Sequence, residues 1–204
     1  MTNKTSKQKR STRSKPPGGE MPGRVGDLAE MARVGAAHVT GVEPDYTPET
    51  LPLLDLYLKR VPPDATEEVI QLIVASTGCY YGEVLRRLLN GRWAIPSGAP
   101  ERWRVELNSC FLYFYPVGMT GDVFTLGKDP EYDGAFATSD ELHETLAEVL
   151  AAAAPVNEDE YYSLAGRVDI LQLAADWLTG QSLATHNREV TYNADSYRRF
   201  FASR

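Results

Sequence analysis

Residues 64–93 read DATEEVIQLIVASTGCYYGEVLRRLLNGRW, and their periodicity decides the fold. Projected at 100° per residue, Ile70, Ile73, Val74, Tyr81, Val84, Leu85 and Leu88 form one stripe. Val69 and Leu72 fall off that stripe, Leu72 nearly opposite it. A helix that is apolar around most of its circumference belongs at the centre of a domain. The spacing predicts one long central helix from Asp64 to Asn90. Asp64 and Glu67 form a capping-box pair, and Gly91 supplies the left-handed end. Ala75, Gly78 and Gly82 make a flank of small residues beside the stripe. A glycine inside a helix costs roughly 1 kcal/mol against alanine. Two of them one turn apart therefore imply a close approach to the backbone, by a packed neighbour or by a ligand. Glu83 lies away from the stripe, near Leu72, Cys79 and Arg86. Arg86 at i+3 and Arg87 at i+4 are its local partners, either in a helix-surface ion pair or around a buried acid in a site.

Working outward toward the N-terminus, Pro62-Pro63 end a shorter helix. That helix opens at Thr47-Pro48-Glu49, with Thr47 as cap, Pro48 in the first turn and Glu49 at the positive end. Leu51, Leu54 and Leu58 mark its inner face up to about Arg60. A further helix is expected over Val25–Val39. Residues 1–24 are Lys-, Arg-, Ser-, Gly- and Pro-rich, with Met1 and Met21 their only large apolar residues. Such a segment cannot bury enough surface to offset its ordering entropy. A disordered basic tail over 1–24 and a single domain over 25–204 are expected.

Toward the C-terminus the pattern turns to short aromatic and β-branched runs: Arg92–Ile95, Arg102–Leu107 and Phe111–Pro116. These read as strands, with Asn108-Ser109 turning a hairpin and Asp122–Leu126 as an added edge strand. Gly118, Gly121 and Gly127 read as turns, since no phosphate-binding spacing surrounds them. Helices follow over Ser139–Ala154, with Ser139 as cap, and over Asn157–Leu178, ended by Gly180. A last short strand is expected at Glu189–Tyr192 and a terminal helical turn at Asp195–Phe201. No internal repeat is visible. Helices, then strands, then helices predict an α+β fold: N-terminal helices including one long central helix, a small antiparallel sheet, then C-terminal helices.

The net charge of −7 is divided unevenly. Residues 1–24 carry seven basic side chains against Glu20, a net +6, which leaves −13 for residues 25–204. An acidic body repels phosphate backbones, so any nucleic-acid contact is expected to be weak and to run through the tail. No apolar stretch approaches the about 20 residues of a membrane span, and none follows the basic N-terminus as a secretory signal requires. No membrane association and a cytoplasmic location are expected. Cys79 and Cys110 are too few for a disulfide scaffold and read as reduced, buried thiols.

The run Gly78-Cys79-Tyr80-Tyr81-Gly82-Glu83-Val84-Leu85-Arg86-Arg87, followed by Gly91-Arg92-Trp93, resembles a group of uncharacterised bacterial domains. In these, a helix carrying Tyr-x-Gly-Glu-Val leads into a Gly-x-Trp strand. An upstream helix begins like Tyr46-Thr47-Pro48-Glu49-Thr50-Leu51 and continues to Leu54-Asp55. The likeness covers residues 45–116. The group carries no agreed activity. It implies an accessory or partner-neutralising protein rather than a particular chemistry.

Candidate chemistry is sparse. His38, His143 and His186 have no metal-ligand spacing, and neither cysteine has a near Cys or His partner. The acid pairs Glu67-Glu68, Asp140-Glu141 and Glu158-Asp159-Glu160 stand at helix starts, where the dipole favours them. Eleven tyrosines supply core and half-buried faces and suit a protein interface. Gly78, Tyr81, Gly82, Glu83, Arg87 and Trp93 form the candidate binding set. No cofactor and no catalytic or metal residue is expected. The sequence supports a non-enzymatic protein whose acidic body docks or neutralises a protein partner. The alternatives are a nucleic-acid-associated protein acting through its tail, and an enzyme with an acid site near Glu83. A pocket at Glu83 would favour the enzyme, and a solid core there the binding protein.

Overall fold

A computed structural model describes residues 20–132, 134, 136–153 and 157–203. The fold is α+β. Eight helices and four strands are described: α1 (Gly23–Thr40), α2 (Leu51–Lys59), α3 (Glu67–Leu88), β1 (Gly91–Ala94), β2 (Arg104–Leu107), β3 (Tyr113–Phe114), α4 (Pro116–Thr125), β4 (Phe136–Ala137), α5 (Asp140–Ala152), α6 (Glu158–Tyr161), α7 (Leu164–His186) and α8 (Ala194–Ala202). The strands form one antiparallel sheet in the order β1-β2-β3-β4.

α3 is the central helix. Every residue from Val74 to Arg86 is buried, with α1 and α4 packed along it and the sheet against it. Its ends differ from the expectation. Thr66, not Asp64, is the N-cap, because Pro62-Pro63 and the turn after them occupy the first positions. The left-handed residue at the C-terminal end is Asn90, at φ 53°. Gly91 already belongs to β1, where an added Cβ would lie 2.8 Å from Val105 Cγ1. Leu88 is exposed, as are Val69 and Leu72 toward the other end.

The largest correction concerns residues 116–125. Asp122–Leu126 is not an edge strand, and Gly118 and Gly121 are not turns: all but Leu126 lie in α4. Valine, threonine, phenylalanine and two glycines give a poor helix propensity. Pro116 in the first turn and contact with α3 override it. The fourth strand is instead Phe136–Ala137. The stretch Asn157–Leu178 is two helices, α6 and α7. Gly180 lies inside α7, which runs on to His186 and ends at left-handed Asn187. Residues 189–192 form no strand; Tyr192 N–H donates to the Asn108 carbonyl at 2.8 Å.

At the N-terminus, residues 1–19 lie outside the described residues. Residues 20–24 do not all stand apart from the body. Met21 packs on the core, α1 starts at Gly23, and the Arg24 guanidinium sits 5.0 Å from the centre of the Trp103 ring. One methionine and one arginine stem suffice to anchor the start of an amphipathic helix.

Strand alternation divides the sheet. In β2, Val105 and Leu107 enter the core, while Arg104 and Glu106 point to the other face. α8 covers that second face. Tyr197 is fully buried; its hydroxyl accepts from Leu112 N–H at 3.0 Å and lies 2.9 Å from the Leu107 carbonyl. Arg104 lies 3.9 Å from the Phe201 ring centre. The amphipathic C-terminus thus docks on its own sheet.

Candidate functional site

Of the six residues of the expected binding set, Arg87 and Trp93 meet at the Glu83 carboxylate, and Gly82 lies under the Trp93 ring. The Glu83 side chain is fully buried. Arg86 donates from Nε to Oε2 at 2.8 Å and from Nη2 to Oε1 at 2.9 Å. Arg87 Nε donates to Oε1 at 2.7 Å, and Trp93 Nε1 to Oε2 at 3.2 Å. The ion pair predicted for the helix surface is therefore an interior one, because Trp93 of β1 closes over it. Arg87, half in solvent, stacks 4.7 Å from the Tyr46 ring centre. Tyr46 in turn stacks on Tyr80 at 4.3 Å and donates its N–H to the Tyr80 hydroxyl at 2.6 Å. Tyr46 holds a left-handed backbone at φ 64°, which these contacts secure. The Tyr46-Thr47-Pro48 turn and the Gly-Glu-Val helix, distant in sequence, are one network in space. Asp45 Oδ1 completes it by accepting from the Thr47 N–H and hydroxyl and the Thr50 hydroxyl; Thr47 itself gives no side-chain cap.

A carboxylate offers about four lone-pair positions, and four donors occupy those of Glu83. Burial alone would raise its pKa, but the guanidinium hydrogen bonds of Arg86 and Arg87 outweigh it and hold the carboxyl below the ordinary glutamate range. Such a group is a poor proton carrier near neutrality. The glycine flank is filled rather than open. A Cβ on Gly78 would lie 2.6 Å from Val117 Cα, and one on Gly82 would lie 2.6 Å from both Pro116 Cγ and Trp93 Cζ2. The close neighbour implied by the two glycines is the first turn of α4 with the Trp93 ring. Tyr81 points elsewhere, into the core, and among the described residues its hydroxyl has no partner.

Cys79 and Cys110 are free and buried, their thiols pushed up by burial to about 12 and about 11. Among the described residues no group of three or more His, Cys, Asp or Glu could hold a metal ion, and no helix is long and apolar enough to cross a membrane.

Two other features stand out. Residues 129–180 hold twelve carboxylates and one guanidinium, a net −11. The guanidinium, Arg167, is buried and paired with Asp122 of α4, leaving the acids of α5, α6 and α7 to face solvent. A groove of about 730 Å³ lies where the start of α5, the last turns of α7, the 187–193 loop and α8 meet. Phe111, Tyr192 and Phe200 line it, with Tyr192 and Phe200 each edge-on to Phe111 at 5.8 and 4.9 Å. Thr138 ties the α5 side to this floor by donating to the Phe111 carbonyl at 2.6 Å.

Compared with family models, curated proteins and solved structures, the chain matches none.

Sequence reading singled out the Glu83 neighbourhood and missed the groove. The terminal helical turn expected at Asp195–Phe201 is its only local sign. Phe111 and Tyr192 are 81 positions apart, and only the fold brings them together.

Proposed function

We propose that this chain is a non-enzymatic bacterial accessory protein of the cytoplasm that docks a protein partner through the acidic face of its C-terminal helices. The observation that carries this reading is the segregation of charge. Of the −13 on residues 25–204, −11 falls between residues 129 and 180. The acids there, among them Glu141, Glu144, Glu148, Glu158 and Asp169, are exposed. A concentrated field of one sign steers and selects partners of the other. The resemblance of residues 45–116 to uncharacterised bacterial domains fits the same reading. The filled Glu83 network weighs against an acid site there, since every oxygen position is already spent on a structural donor.

The test is affinity purification from the native cell, with the wild-type chain beside a Glu141→Lys, Glu144→Lys, Glu148→Lys variant of matched melting temperature. A protein recovered in proportion by the wild type and lost with the variant is the expected result. Equal recovery by both rejects the acidic face as the docking surface.

The basic tail supports a second, weaker activity, salt-sensitive contact with nucleic acid. Its net charge of +6 is enough to neutralise a few phosphates and no more.

A further inference from the structure

We infer that the groove between α5 and α8 seats a lysine side chain from a basic segment of the partner protein, an inference that rests on the docking reading above. Three half-buried rings, Phe111, Tyr192 and Phe200, form a continuous aromatic wall. Asp140 and Glu141, at the start of α5, line the same groove. An ammonium over an aromatic face is attracted by the ring quadrupole, and a facing carboxylate adds a charge-assisted hydrogen bond. The methylene stem of lysine packs on the ring edges while its head reaches the acid.

Charge complementarity continues outside the groove. Glu141, Glu144 and Glu148 lie three and four positions apart on α5, hence on one exposed stripe. The stripe begins at the groove, so an extended basic segment can run along α5 with one lysine as its anchor. Arg199 lines the α8 wall and His186 the α7 wall. Arg199 repels a cation there and directs it toward α5.

The probe is a fluorescein-labelled peptide of alternating lysine and glycine, beside the same peptide with norleucine for its central lysine. Anisotropy with the full chain at one fixed salt concentration gives both affinities. The lysine peptide is expected to bind about fivefold tighter. Tyr192→Leu, which keeps the acids and removes a ring, should erase that preference, and Glu141→Gln on the exposed helix face should reduce it. Equal binding of the two peptides, or a preference untouched by Tyr192→Leu at unchanged melting temperature, overturns the inference. If Tyr192→Leu lowers the melting temperature, Glu141→Gln decides, and an unchanged preference then overturns it. Partner capture that still depends on the α5 charges after such a result leaves the docking reading standing. A lysine preference that persists while capture ignores those charges ends the docking reading and keeps the groove.

Discussion

Four donors converge on one carboxylate at Glu83, and two predictions follow from that density. Glu83→Ala removes the carboxylate that accepts two hydrogen bonds from the Arg86 guanidinium, itself 2% exposed. Removing one partner of a buried pair costs about 3–5 kcal/mol, and urea melting should show a loss of that size. Glu83→Gln, which keeps an acceptor oxygen, should lose less. The folded-state pKa of Glu83 lies below its unfolded value, so the pair stabilises fully above about pH 4.3. That stabilisation is lost as pH falls through the folded pKa. The wild-type advantage over Glu83→Ala should therefore shrink in acid; an advantage that stays constant down to pH 2 would contradict the pairing. At Gly82 the argument is steric. Trp93 and Pro116 already occupy the space of a Cβ. Gly82→Leu should destabilise by more than about 2 kcal/mol through overpacking. An unchanged denaturation midpoint would mean that the flank opens readily.

At the scale of elements, α7 carries the clearest test. Gly180 lies inside this helix with no atom within 4 Å of an added Cβ. Gly180→Ala should raise stability by about 0.4–1 kcal/mol, read as a higher melting temperature. A drop would mean that the helix ends at Gly180 after all. The start of α7 is held twice. Ser163 Oγ accepts from Gly166 N–H at 2.9 Å, and buried Asp55 of α2 accepts from Leu164 N–H at 2.7 Å. The first contact lies in the local sequence, and the second joins positions 109 apart. α4 shows the opposite balance. Its residues favour strand or turn, and it is helical because Gly78 and Gly82 of α3 offer a groove in which its first turn fits.

Across the whole molecule, charge is the organising variable. Along the sequence, residues 1–24 are basic, α5 to α7 are acidic, and α3 and the sheet between them carry paired charges such as Arg92 and Arg104 on Glu106. Any nucleic-acid affinity should reside in the tail and be weak. Duplex binding has a salt slope of roughly −0.9 per phosphate neutralised. Replacing Lys4, Lys7, Lys9 and Arg10 by glutamine in the full chain should flatten that slope and reduce binding at low salt. Fluorescence anisotropy with a labelled duplex across a salt series measures both. Tight binding that survives the replacement would place a basic surface on the body, against its net −13.

What the sequence by itself determined is what repeats locally. The central helix, the helix over Leu51–Leu58, the hairpin strands and the α+β class all follow from periodicity, propensity and turn chemistry within a few residues of each position. The partners of Glu83 were legible for the same reason, since i+3 and i+4 neighbours meet on any helix. Only the tertiary structure decided whether that pair is buried, because burial depends on Trp93 arriving from β1. It also decided that 116–125 is a helix, that Gly91 is strand and Asn90 the left-handed residue, and that Phe111, Tyr192 and Phe200 share a groove. At 116–125 and at Gly91, contacts with distant positions outweighed a local preference worth about 1 kcal/mol or less per residue; the burial of Glu83 and the groove are contacts that no local pattern encodes.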